Sequence, residues 1–98
     1  MFAVTVEFKI DPAQMQNFMP LMLENAARSR EDEPGCRQFD VCTAAERPGF
    51  VFLYELYDDA PAFEAHLAAP HYLSFAAATT AMVLHRAVSR WLRQAPSA

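Results

Sequence analysis

Glycine is nearly missing from this chain: Gly35 and Gly49 are the only two in 98 residues. A phosphate-cradling turn needs several glycines close together, and neither Gly-x-Gly-x-x-Gly nor a P-loop is present. An ordinary nucleotide cofactor is therefore disfavoured. Basic charge is also scarce. Eight Lys and Arg stand against twelve Asp and Glu, for a formal net charge of -4. The arginines are scattered, with one loose group at Arg86, Arg90 and Arg93. Neither nucleic acid nor an anionic membrane is an expected partner. No apolar run approaches the ~20 residues of a membrane span. The start, Met1 to Glu7, lacks a basic leader and alternates like a strand, so it does not read as a signal peptide.

Cysteine is limited to Cys36 and Cys42. If they share a strand they lie roughly 20 Å apart, beyond disulfide reach. They read as reduced thiols in a cytoplasmic protein. No Cys-x-x-Cys pair, clustered carboxylates or His-x-x-x-His spacing accompanies the histidines, so no metal ligand set is expected. A Gly-x-Ser-x-Gly elbow is absent too.

What remains is apolar for its size: 53% hydrophobic and 12% aromatic. A chain this short has much surface for its volume, so part of that surface is expected to be hidden against a partner, most simply a second copy. One domain over residues 1–95 is predicted, followed by a tail at 96–98.

Phe2, Val4, Val6, Phe8 and Ile10 alternate with Ala3, Thr5, Glu7 and Lys9, the period of a half-buried strand. Asp11-Pro12-Ala13-Gln14 reads as an N-cap with proline at the first helical position and glutamine closing a capping box. Met15, Phe18, Met19, Met22, Ala26 and Ser29 recur at helical spacing, with Pro20 expected to bend the helix without ending it. Glu33-Pro34-Gly35 closes it. Strands are predicted at Cys36–Thr43 and Phe50–Tyr57, the second apolar on both faces, as expected where helices cover one face and another subunit the other. Asp58 or Asp59 caps the next helix, Pro70 breaks it, and a last strand falls near Ala87–Arg93. The order β-α-β-β-α-β is the α+β, ferredoxin-like arrangement, with helices on one face of an antiparallel sheet.

Three polar residues sit where a plain core would be apolar. Asn25 lies about 20° from Phe18 around the first helix. It is either a structural amide bonded to backbone or a hydrogen-bonding group aimed into a cavity. His66 falls between Phe63, Leu67 and Pro70 on the inner face of the second helix, as a satisfied core histidine or as one wall of a pocket. Glu55 is the one charge in Phe50–Tyr57. Either an ion pair, for example to an arginine of the last strand across a subunit interface, or a pocket carboxylate that orients His66 or takes a proton would account for it.

Several segments together resemble the antibiotic biosynthesis monooxygenase family, which includes quinol monooxygenases and an isomerase of phosphorylated autoinducer-2. They are Glu24-Asn25-Ala26 with Ser29-Arg30, then Glu33-Pro34-Gly35-Cys36 with Phe39-Asp40-Val41, then Tyr54-Glu55-Leu56-Tyr57-Asp58, and Ala62-Phe63 with His66, Pro70, His71 and Tyr72. The resemblance implies a homodimer joined through the sheet face, a dimeric α/β-barrel, with a pocket between sheet and helices in each subunit. It also implies oxidation of a small phenolic or quinol-type substrate by molecular oxygen with no metal or flavin. The family's pocket asparagine and histidine fall on Asn25 and His66. Haem-degrading relatives have a tryptophan near the place of His66 and a ligating histidine where this chain has Phe75-Ala76-Ala77-Ala78, so haem oxygenation is disfavoured.

The expected site then has His66 as base and Asn25 as donor to the developing oxyanion. Glu55, Phe39, Tyr54, Tyr57, Tyr72, His71 and Phe75 are expected to bind the substrate. An isomerase of the autoinducer-2 type would instead need a basic phosphate handle, with Arg28, Arg30 or Arg37 as candidates. A non-catalytic dimeric binding or stress-response module is the third reading, since the fold is shared by enzymes and sensors.

Overall fold

Asp11 does not open the long helix directly, as the capping-box pattern predicts. The computed structural model, which describes residues 1–94, places Asp11 at the head of a single 3-10 turn, Pro12–Gln14. Its carboxylate accepts from the Ala13 N–H at 3.0 Å. The reciprocal half of the box is not made, because the Asp11 N–H is already bonded to the Met82 carbonyl. Helix α1 then runs through Met15–Asp32 with Pro20 inside it. The predicted domain end at 95 and the tail at 96–98 lie outside the described residues.

Four strands, β1 (Phe2–Ile10), β2 (Cys36–Thr43), β3 (Phe50–Tyr57) and β4 (Val83–Leu92), form one antiparallel sheet in the order β2-β3-β1-β4. Helices α2 (Ala60–Leu67) and α3 (Pro70–Thr79) follow β3, split at the Pro70 break. Asp59 is the cap, accepting from the Ala62 N–H at 2.9 Å. This is the expected ferredoxin-like order. The last strand starts four residues earlier than predicted, at Val83, because it pairs with the whole of β1 down to Ile10. Its residues are nearly all exposed, so they carry no alternation to read.

Register fixes which side chains meet the helices. Val4 pairs with Glu55, Val6 with Leu53 and Phe8 with Val51, which places these on one face with Phe2 and Tyr57. That face, with Phe18 and Met22 of α1 and Phe63 and Phe75 of the later helices, makes the core. Phe18 meets Phe8 and Phe75 edge-on at 5.5 and 5.8 Å. The opposite face carries Ala3, Thr5, Phe52, Tyr54, Leu56 and Trp91, and among the described residues no helix covers it. Among the described residues Cys36 and Cys42 are free thiols on one strand, as expected.

The turn after α1 is tight against α2. A Cβ on Gly35 would lie 2.6 Å from the Ala62 Cβ, too close without backbone movement. Gly35→Ala is expected to lower unfolding free energy by roughly 1–3 kcal/mol, the usual cost of overpacking. A urea melt of the variant beside wild type measures it.

Candidate active site

Two helices deliver the inward polar pair. Position 25 of α1 and position 66 of α2 both fall on faces that meet the sheet, and Asn25 and His66 are each only 2% exposed. Both line a cavity of about 540 Å³ between helices and sheet. That volume is in the range of pockets that take small molecules. Phe39, Glu55, Tyr72 and Phe75 line it as well. The Phe39 and Tyr72 rings stand 5.8 and 5.0 Å from the His66 ring.

The other predicted pocket residues are placed elsewhere. Tyr54 points from the opposite face of the sheet, since it pairs with Thr5 and Asp40 and alternates with the inward Leu53 and Glu55. Tyr57 is fully buried beneath the cavity, against Phe63 and His66. His71 lines a separate outer groove of about 400 Å³ between α1 and α3. None of the three expected phosphate handles lines the main cavity. Arg28 pairs with Glu24 and Asp32, Arg30 donates to the Cys36 carbonyl, and Arg37 holds Asp58 at 2.6 Å. The arginines that do line it are Arg86 and Arg90, from β4.

His66 is oriented by Glu33, a residue that sequence reasoning treated as part of a turn. Its Nδ1 lies 2.8 Å from Glu33 Oε2, with the Ser29 hydroxyl at 3.4 Å. An ionised carboxylate only accepts, so Nδ1 carries the proton and Nε2 holds the lone pair. Nε2 has no partner among the described residues and is not one of the sealed polar atoms, which leaves it open to the cavity. Burial lowers the His66 pKa, opposed by the hydrogen bond and charge of Glu33, so the ring is a neutral acceptor near pH 7. The second proton on Glu33 Oε2 comes from His71 Nε2, at 2.5 Å. The expectation of no metal ligand set, drawn from the lack of clustered carboxylates near the histidines, does not anticipate this shared Glu33 contact. It rested on spacing along the chain, and Glu33 arrives from the far end of α1.

Asn25 departs from the backbone-bonded alternative. Its Oδ1 is buried with no partner, one of two such side-chain atoms among the described residues; the other is Glu33 Oε1. An orphaned amide oxygen costs about 1–3 kcal/mol unless something else bonds it. The NH₂ group of the same amide is neither hydrogen-bonded nor sealed among the described residues, so it is the donor end of Asn25 that a ligand in the cavity can meet.

Glu55 has no arginine partner among the described residues. It faces the helices, so an interface on the opposite sheet face does not reach it. Its carboxyl accepts from the Tyr57 hydroxyl at 2.6 Å. Burial pushes its pKa up to about 7; the Tyr57 bond opposes the rise and the Glu33 charge adds to it. Burial also pushes up the Tyr57 phenol, and takes the Cys36 thiol to about 12, so neither ionises near neutrality.

Comparison with known proteins identifies the class. The sequence pattern of the antibiotic biosynthesis monooxygenases matches residues 1–78, and the chain belongs to that family. No curated protein matches it. Among solved structures, one from Mycobacterium tuberculosis is 26% identical with a TM-score of 0.90, covering 99% of this chain and 98% of that one. One from Bacteroides thetaiotaomicron is 25% identical with a TM-score of 0.92, covering 99% and 92%. One from Nitrosomonas europaea is 23% identical with a TM-score of 0.90, covering 95% and 98%. The last two are described provisionally as antibiotic biosynthesis monooxygenases.

The Glu55 shift has a thermodynamic consequence. The native state holds this proton up to about pH 7, whereas an ordinary carboxyl releases it near 4.5. Between those values the folded chain binds more protons than the unfolded one, so Glu55 makes stability fall as pH rises. The loss is of order 3 kcal/mol, complete above pH 7. Glu55→Gln is expected to flatten that slope. Urea midpoints of both proteins at pH 5 and pH 8 measure it, and equal slopes would contradict the assignment.

Proposed function

We propose that this chain is a cofactor-independent monooxygenase acting on a small phenolic or quinol-type substrate with molecular oxygen. The observation that carries the reading is that Asn25 and His66 line one cavity, with an amide NH₂ group and an imidazole nitrogen that are both unsealed and without a partner among the described residues. Membership of the family supports it.

The chemistry asked of the protein is modest. His66 Nε2 takes a phenolic proton, and Glu33 stabilises the resulting imidazolium through Nδ1. The Asn25 NH₂ group donates to the phenolate oxygen. The electron-rich anion reduces oxygen directly, so the substrate supplies all the electrons. One oxygen atom enters at a ring carbon in place of hydrogen. The ring is left at the quinone level by giving up two further electrons and two protons, and these reduce the other oxygen atom to water. Glu55, on the cavity wall and partly protonated near neutral pH, gives a proton to the departing oxygen in this reading. Phe39, Tyr72 and Phe75 hold the ring.

A second copy of the chain is the proposed occupant of the open sheet face. Phe52 and Trp91 are 40% and 56% exposed there, beside the buried Ala3 and Leu56. Phe52→Glu combined with Trp91→Glu is expected to convert a dimer to a monomer in analytical ultracentrifugation. An unchanged mass would remove this face from the interface. The two free cysteines fit a reducing compartment, and no helix among the described residues is long and apolar enough to cross a membrane.

Oxygen uptake with a reduced menadione-like quinol, corrected for autoxidation, tests the activity. Loss of a general base commonly costs 10²–10⁴-fold, so His66→Ala is expected to slow uptake by about 100-fold or more. Asn25→Ala is expected to slow it as well, through loss of the oxyanion contact. Uptake by His66→Ala equal to that of wild type would remove the histidine from the mechanism.

A further inference from the structure

Where the end of α1 meets the junction of α2 and α3, Glu33, His66 and His71 bring a carboxylate oxygen and two imidazole nitrogens within 4.8 Å of one another. We propose that this cluster is a binding site for a divalent transition-metal ion of the zinc or cobalt type. Two nitrogens and one carboxylate oxygen form a borderline-soft donor set suited to such ions, whereas calcium and magnesium favour oxygen-rich sites.

Four features of the site point the same way. Glu33 Oε2 lies between His66 Nδ1 and His71 Nε2, at 2.8 and 2.5 Å, positions now held by two protons. A metal ~2.0–2.1 Å from each donor occupies the same space after small side-chain shifts. The other carboxylate oxygen, Oε1, is buried with no partner and is free to complete a bidentate grip. The His66 and Glu33 side chains are only 3% and 11% exposed, so the donors are already drawn out of water. An entry path exists as well, because His71 lines the outer groove, whose wall also carries Glu24 and Asp32. Three protein ligands leave a fourth position open.

Loading the site has a consequence for the cavity. A neutral imidazole carries one N–H, so metal on Nδ1 leaves the His66 proton on Nε2. The metal-bound form then shows the cavity a donor where the free form shows a base. That consequence alone rests on the proposed role of His66; the site does not.

The test reads metal directly and needs no substrate. Untagged full-length protein is titrated with Zn²⁺ by calorimetry, and with Co²⁺ followed by its visible absorption. One ion per chain is expected, with excess Mg²⁺ failing to compete. His71→Ala and Glu33→Gln are each expected to weaken Zn²⁺ by at least about tenfold, as loss of ligand-shell groups does. His71→Gln, which keeps a side chain of similar reach, is expected to lose the Co²⁺ bands while retaining the wild-type circular dichroism. His85→Ala, on an exposed strand position outside the cluster, is expected to change nothing. Absence of Zn²⁺ binding overturns the site. So does binding that survives both Glu33→Gln and His71→Ala, or that disappears instead with Cys42→Ser, the exposed competing thiol.

Discussion

One carboxylate oxygen, Glu33 Oε2, is shared between the imidazoles of His66 and His71, and the roof of the cavity depends on it. Glu33 sits immediately after α1, His66 in the last turn of α2 and His71 in the first turn of α3. A single acceptor thus ties three helix ends together over the sheet. It also sets the His66 tautomer, because a carboxylate at Nδ1 forces the lone pair onto Nε2.

Around that contact the interior divides into dry and polar parts. The dry part is the aromatic stack of Phe8, Phe18 and Phe75 with the strand valines. The polar part is Asn25, Ser29, Glu55, His66 and Thr79, all buried within one chain. Ser29 and Thr79 are satisfied by carbonyls one turn back in their own helices. Asn25 and Glu55 are not satisfied in that way: one has a buried oxygen without a partner, and the other is bonded only to Tyr57. Buried groups left under-satisfied beside a cavity are the places where a ligand gains most from binding, since it supplies bonds that the protein lacks. The same low dielectric that raises the Glu55 pKa strengthens any hydrogen bond a ligand forms there.

Much of the site was legible before the structure. Asn25 and His66 were visible because each is a polar residue at a helical position whose neighbours on the same stripe are apolar. Phe39, Tyr72 and Phe75, expected as apolar walls, all line the cavity. Tyr54 was misplaced because a strand apolar on both faces does not say which face is inward. Register to β1 decides it, through Val4 opposite Glu55. Arg86 and Arg90 read along the chain only as a loose basic group with Arg93, yet β4 lays them along the cavity.

The linear order of residues by itself determined the elements and their order: period two in β1, helical spacing in α1, the Pro70 break and the Asp59 cap are local effects of side-chain shape and hydrogen bonding. It determined which helix positions are inward for the same reason. The tertiary structure alone decided that Glu33, 33 residues before His66 and 38 before His71, reaches both histidines. Such a contact depends on how three helices pack on a twisted sheet, and no spacing along the chain encodes the distance between side chains on separate elements.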